Sequence, residues 1–438
     1  MLPKILIISR NTWEDENGTS STLSNLFADY SPDCIAHIYI ETKQPKTNCC
    51  YQFFQISEIS LVHKFYKWRT QTGHTIDTRS QMAPLQNRQS ANQEEAAMNY
   101  VRGHRSIIFT MMREVLWSFN GWKSKELRKF ILDFDPDVVW LDGSPLPLMN
   151  RLYNYALKIS KKPATIFMQD DVYTYKSCRH TPLHLIHKWY LRQTIRRVVK
   201  KCNNMFVISP KMKKEYDEIF GVSSTIITKG INVPQSELIA IAHKPIKLVY
   251  LGQIIYGRIL SLIAIANALK KINNEEKRAQ LYIYTNNKIS EIQKEQLLDG
   301  GNVFIMPPVP FPEVTKVINE NDVVVFVESF NPMYSRVARL SFSTKICDYL
   351  GSGKSILAIG SSDIASIEYF KDEDAALVAT SVAEITNQIE KLSNQKIIEK
   401  YSIKALNCAK KNHSKEKMNK IIYEKLIELS NLNCKNDI

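Results

Sequence analysis

The sequence predicts an α/β protein made of two successive domains, each a parallel sheet with helices on both faces. Three observations predict it. Short apolar runs of strand length recur along the chain, with helix-length stretches between them. The series restarts after a polar stretch near residues 236–246. At 438 residues the chain is long for one core, and 44% apolar residues are ample for two.

The elements follow in order. "KILIIS" (4–9) is a continuous apolar run, the pattern of a strand buried on both faces, and a polar loop leads from it into the helix-like "SSTLSNLFADY". "DCIAHIYI", "DVVWLDG", "ATIFMQDD" and "NMFVIS" (204–209) continue the series, with helical patterns at 151–161 and 183–201. Each run ends in polar or small residues, as strands do when they deliver loops to a site. The second series reads "IKLVYLG" (246–252), "AQLYIYT" (279–285), "NVFIMPP" (302–308), "DVVVFVES" (322–329), "SILAIG" (355–360) and "AALVAT" (375–380). The domains are therefore placed at 1–240 and 241–415. Residues 416–438 form a charged C-terminal helix expected to pack back on the first domain. Residues 70–105, polar and Gln/Asn-rich, break the rhythm and read either as a mobile surface insertion or as a lid over an acceptor site.

The formal charge of +14 points to an acidic partner: nucleic acid, anionic lipid or a phosphorylated metabolite. Nucleic acid is disfavoured, because the basic residues are dispersed and no helix-turn-helix, zinc or RNA-recognition signature is present. The eight cysteines form no CxxC pair and read as reduced thiols of a cytoplasmic protein. "MLPKILIISR" is too short a run for a signal peptide, and no segment has the length of a membrane span. The helix "LHLIHKWYLRQTIRRVVKKC" (183–202) carries six Lys and Arg and no acid, with an apolar side. It is either a crossover helix with a solvated basic face or one that lies on anionic lipid, and the overall charge favours contact with an anionic membrane surface at the inner face of the cell membrane. In "EVLWSFNGWKSKELRKF", Trp117 and Trp122 join that surface or the core.

Three stretches could carry chemistry. In "SRNTWEDENGTSST" (9–22), Gly18 lets backbone approach a ligand or simply makes a plain βα turn, since the full GxGxxG pattern is absent, and Ser20, Ser21 or Thr22 can cap the next helix. In "YLGQIIYGRILSL" (250–262), Arg258 precedes a helix, where a guanidinium can grip a diphosphate or stay solvated. In "FVESFNPMYSRVARLSFSTKICDYLGSG", Ser343 or Thr344 can cap a short helix whose start, with Lys345, faces phosphate oxygens. Asp348 follows one turn later, where a carboxylate can accept from two ribose hydroxyls; otherwise Lys345 and Asp348 are a simple intrahelical pair. "DFDPD" (Asp133, Asp135, Asp137) has the Asp-x-Asp pattern of metal-dependent transferases, but its place before Pro136 and a buried strand reads as turn chemistry, and no metal is expected.

The segment "STKICDYLGSGKSILAIG" resembles the "S-K-x-x-E/D-Y-L-x-x-G-K-P-I-L-A" element of retaining GT-B glycosyltransferases of family four, in the branch that builds bacterial surface polysaccharides. "NMFVISPKMKKEYDEIFGVSSTIITKGINVP" (204–234), "MQDDVY" (168–173) and "FDPDVVWLDGS" are similar to further blocks of that family, in the same order. The resemblance implies the GT-B fold, two Rossmann-like domains facing a central cleft. It implies transfer of a sugar, with retention, from a nucleoside diphosphate sugar of UDP or GDP type to a glycan or lipid-linked glycan hydroxyl, with no cofactor required. Asp348 would hold the ribose and Arg258 the diphosphate; Ser343, Thr344 and Lys345 would form the phosphate-facing helix start. Gly18, Gly252 and Glu328 would line the donor side, and Asp170 and Asp171 are acceptor-side candidates or caps of the next segment. The pattern departs at Gln253, at Leu340 and at Gln169, where the family commonly has arginine, glutamate and histidine. The alternatives are a nucleotide-sugar epimerase of similar fold and a non-catalytic anion-binding protein.

Overall fold

The computed structural model describes residues 2–15, 18–79, 107–178, 181–234, 242–298 and 300–432, with the backbone alone for 18–21. The chain divides into two compact units. The first comprises Met1–Ile208, Lys213–Ile227 and Asn419–Ile438; the second comprises Ser209–Met212 and Thr228–Met418.

The first unit holds strands β1 (Ile5–Ile8), β2 (Ile35–Tyr39), β3 (Gln52–Ile56), β4 (Gly73–Asp77), β5 (Val138–Asp142), β6 (Ala164–Met168), β7 (Asn204–Val207) and β8 (Thr225–Ile226). Their order is β4-β3-β2-β1-β5-β6-β7-β8, and every neighbouring pair is parallel except β3 and β4. β1 sits in the interior because Ile-Leu-Ile-Ile has no side that tolerates water; all four residues are buried. Trp140 of β5 stacks on Phe206 of β7 and meets Phe27 edge-on, which anchors helices to the sheet face. The strand order reverses between β1 and β5, the point where open parallel sheets part their loops to hold a ligand.

The second unit has β9 (Ile246–Leu251), β10 (Ala279–Tyr284), β11 (Val303–Met306), β12 (Val323–Val327), β13 (Ser355–Ile359) and β14 (Leu377–Ala379). The order is β11-β10-β9-β12-β13-β14, all parallel, so the reversal falls between β9 and β12. Leu262, Ile265 and Leu269 of the helix Arg258–Ile272 pack with Leu248, Leu281, Val325 and Leu357 into one core.

Some local expectations are corrected. Residues 73–77 of the 70–105 stretch are ordered as β4, antiparallel to β3, because the backbone ladder outweighs their polar composition; for the rest of the insertion and lid readings, residues 80–105 lie outside the described residues. The first helix starts at Gly18 itself, so Ser20, Ser21 and Thr22 lie inside it instead of capping it. Trp117 and Trp122 belong to the core, their indole N–H groups donating to Glu58 and to the Trp117 carbonyl. In "DFDPD", Asp135 ends a helix in the left-handed region (φ 45°) and Asp137 accepts from the Lys4 amide at 2.7 Å, which is turn chemistry. From the C-terminal helix Lys415–Asn431, Tyr423 meets the Tyr30 ring at 5.3 Å within the first unit.

Candidate functional site

The carboxyl ends of β9, β10 and β11 open into a cavity of about 270 Å³ within the second unit. Leu251, Gly252 and Gln253 enter it from β9, Tyr284–Asn286 from β10, and Pro308, Val309 and Phe311 from beyond β11. Lys345, Asp348 and Tyr349 close it from the short helix Lys345–Gly351. The β11 side carries Pro308, Val309 and Phe311, an aromatic residue 61% exposed; the β9 side carries the Lys345 ammonium. Sequence reasoning found the polar half of this cavity and missed the apolar half.

Lys345 donates from Nζ to the Leu251 carbonyl at 2.9 Å, and the Tyr349 hydroxyl donates to the same oxygen at 3.2 Å. This fixes the helix against the end of β9. The ammonium reaches there because residue 252 is glycine: a Cβ at that position would lie 2.2 Å from Nζ. Gly252 gives its own amide to Tyr284, so it contributes room and not a donor. Desolvation, helped by the nearby Arg258 charge, lowers the Lys345 pKa to about 8. Gly252→Ala is expected to displace that ammonium and strain a backbone at φ 155°, costing roughly 1–3 kcal/mol of stability and about tenfold in nucleoside diphosphate affinity. Calorimetric titration with UDP and GDP checks this.

Asp348 is not paired with Lys345. Both of its oxygens accept from Lys229 Nζ, at 2.6 and 2.8 Å, and the same ammonium lies 5.9 Å from the Phe311 ring centre. A carboxylate offers about four acceptor positions, so room remains for two ligand hydroxyls. Thr344 stands at the N-cap position, but its side chain makes no capping bond, and the Ile346 amide closes on the Ser343 carbonyl. The cationic side therefore rests on Lys345 more than on the helix start.

Arg258 and Glu328, named separately from the sequence, form one bidentate pair at the β9/β12 reversal: Nε to Oε2 at 3.1 Å and Nη2 to Oε1 at 2.8 Å. Glu328 is buried, with 7% of its side chain exposed, against 24% for Arg258. The Glu328 main-chain oxygen also accepts from Ser261 at 2.8 Å. Gly257, at φ 76°, turns the loop into the helix, and any Cβ there would collide with Ser329 and Tyr334. Two of the five guanidinium N–H donors are engaged by Glu328, leaving the others for a further partner.

In the first unit, Asp171 is buried and accepts from the Thr174 amide (2.8 Å) and hydroxyl, which is a turn-forming role. Asp170 is exposed. Asp142, at the end of β5, was missed: Gln169 donates to it at 2.7 Å, and burial raises its pKa to about 7. Its position at the strand end of "VVWLDG" is the signal that could have found it. Gly18 heads the first helix. Among the described residues, no group of three or more His, Cys, Asp or Glu is placed to hold a metal ion.

No protein-family model matches the sequence, and no curated protein matches it in sequence. Solved structures are similar in fold. TarM superimposes with a TM-score of 0.60 at 12% identity, covering 98% of this chain and 99% of that one. The α,α-trehalose 6-phosphate synthase of Burkholderia multivorans gives 0.59 at 10%, covering 100% and 99%. HepE of Anabaena, solved with UDP-glucose, gives 0.58 at 11%, covering 97% and 100%. The fold is GT-B.

Proposed function

We propose that the chain is a glycosyltransferase that moves a sugar from a nucleoside diphosphate sugar to a hydroxyl of a glycan acceptor. The observation that carries this reading is the lining of the cavity: an apolar β11 side that suits a base, a carboxylate at ribose reach, and a lysine ammonium on the β9 side, where a diphosphate would lie. Neighbours of the same fold support a UDP-linked donor, since HepE was solved with UDP-glucose and the E. coli trehalose-6-phosphate protein with UDP-2-fluoro glucose. Family-four membership, retention, independence of metal and a lipid-linked acceptor in cell-surface polysaccharide synthesis are the finer parts of the proposal and rest on the sequence resemblance. Peripheral contact with the inner membrane face rests on the basic helix Pro182–Val199, where Ile186 and Trp189 are more than half exposed. No helix among the described residues is long and apolar enough to cross a membrane.

In the proposed reaction, the bond between the sugar's anomeric carbon and the diphosphate oxygen breaks with its electron pair on the diphosphate. The acceptor oxygen bonds to that carbon on the same face, and its proton passes to the departing diphosphate. Lys345 and Arg258 neutralise charge developing on the leaving group, a contribution of several kcal/mol in such sites. Asp170 and Asp142 are the acceptor-side carboxylates; Asp171 is left in its turn.

The Lys345 pKa sets a pH dependence. Between about pH 8 and the ordinary lysine value of 10.5, the folded chain has released a proton that the unfolded chain keeps. Stability from this group therefore rises with pH across that window, whereas affinity for the diphosphate falls as the ammonium is lost. Lys345→Arg is expected to abolish the fall in affinity. A thermal-stabilisation screen of UDP-, GDP- and dTDP-sugars, with product analysis of the best hit in the presence and absence of chelator, tests the function. Stabilisation by one class with metal-independent sugar release supports it; no stabilisation and no release by any class contradicts it.

A further inference from the structure

The first unit carries a second concave site, of about 650 Å³, between the helices Pro147–Ser160 and Pro182–Val199 and the turn before Lys125. Arg151, Tyr155 and Lys158 line it from one helix, and Tyr190, Thr194 and Arg197 from the other, each set at the spacing that puts residues on one helical face. With Lys123, Lys162 and Lys201, the cations lining it number six alongside Arg151, Lys158 and Arg197; no acid lines the pocket. The floor is neutral and fixed, with Asn150 donating to Thr194 Oγ1 at 3.1 Å.

Few of these charges are compensated. Lys162 pairs with Asp135 at 3.2 Å, and Arg151 donates to the Tyr190 hydroxyl at 2.7 Å and lies 3.9 Å from Glu114. Lys201 donates to the neutral Asn154 oxygen at 2.6 Å, and Lys123 lies over the Trp122 and Tyr155 rings. Lys158 and Arg197 have no carboxylate partner among the described residues. Like charges gathered in a concavity raise its potential and concentrate anions there. The volume is that of a pocket for an organic ligand, larger than one inorganic ion needs.

The geometry points to a second binding site, for a carbohydrate chain bearing two or more phosphate or sulfate groups. The Tyr155 and Tyr190 rings line the same concavity as the cations, an aromatic surface beside the charges that suits a charged sugar chain. Lys162 lies two residues before β6 and Lys201 three before β7. That is the amino edge of the parallel sheet, roughly 16 Å along the strands from the carboxyl edge where Asp142 and Asp170 lie. The site therefore holds an anionic chain at the opposite edge of the first unit's sheet from those two carboxylates. A concave pocket suits a chain better than a flat bilayer. The assignment of the bound chain as acceptor rests on the glycosyltransferase reading; the binding itself does not.

The test is fluorescence anisotropy of the full chain with a labelled sulfated oligosaccharide, its unsulfated parent and a DNA oligonucleotide of equal charge, with sedimentation on phosphatidylcholine–phosphatidylglycerol vesicles as a separate arm. The sulfated probe is expected to bind, weakening as salt rises, and the doubly reversed variant Lys158→Glu/Arg197→Glu to lose at least about tenfold. Melting temperature and UDP affinity of the variant are expected to stay at the wild-type values. Equal binding of the unsulfated parent, equal or tighter binding of DNA, or an unaltered variant would overturn the proposal. So would a variant that loses vesicle binding and keeps the sulfated probe. If no nucleotide sugar binds while the sulfated probe does, the donor reading fails and this site stands.

Discussion

Arg258→Met lowers the stability of the chain by about 3 kcal/mol, because it strands the buried Glu328 carboxylate without its counterion. For a unit of this size that is a fall of roughly 6–12 °C in melting temperature. Adding Glu328→Leu restores most of it, since an ion pair replaced whole by apolar side chains leaves no unpaired charge. Turnover behaves differently. If Arg258 also faces the diphosphate, both the single and the double variant lose about a hundredfold or more in kcat. A double variant with near-normal turnover would confine Arg258 to holding Glu328, and an Arg258→Met chain as stable as wild type would show that the pair matters little to the fold.

Asp348→Ala weakens nucleoside diphosphate binding by about ten- to a hundredfold. A hydrogen bond to a charged group contributes about 1.5–3 kcal/mol net, and a partly exposed carboxylate that stays solvated when the ligand leaves sits at the low end for its two ribose hydroxyls together. Lys229→Met is the control, because Lys229 holds both Asp348 oxygens. It is expected to cost only a few-fold. Equal losses in the two variants would mean that Asp348 acts by positioning Lys229, and unchanged affinity in Asp348→Ala would remove it from the ribose.

The strand framework was legible because it depends on local pattern. β1 and β9–β14 are dense apolar runs, and a helix-covered parallel sheet leaves such runs little alternative. β3 and β4 were not, since "QFFQI" and "GHTID" are short and interrupted by polar residues, and their pairing is supplied by the neighbouring strand. Of the candidate site residues, Lys345, Asp348 and Arg258 could be picked out from helix starts and loops at strand ends, and Glu328 through the family resemblance. Their partners could not: Arg258 meets Glu328 across 70 residues and Asp348 meets Lys229 across 119, separations that no periodicity encodes. The apolar wall escaped for the same reason, because Tyr284 and Phe311 come from different strand ends and converge only in the folded sheet.

A crystal structure with UDP-glucose or GDP-mannose soaked to saturation tests most directly whether a nucleotide sugar lies across the second unit's cavity. The expected density places the diphosphate within hydrogen-bond distance of Lys345 Nζ, the ribose hydroxyls on Asp348 and the base against Phe311. Density for the nucleotide at another place, with this cavity left to solvent, would contradict it.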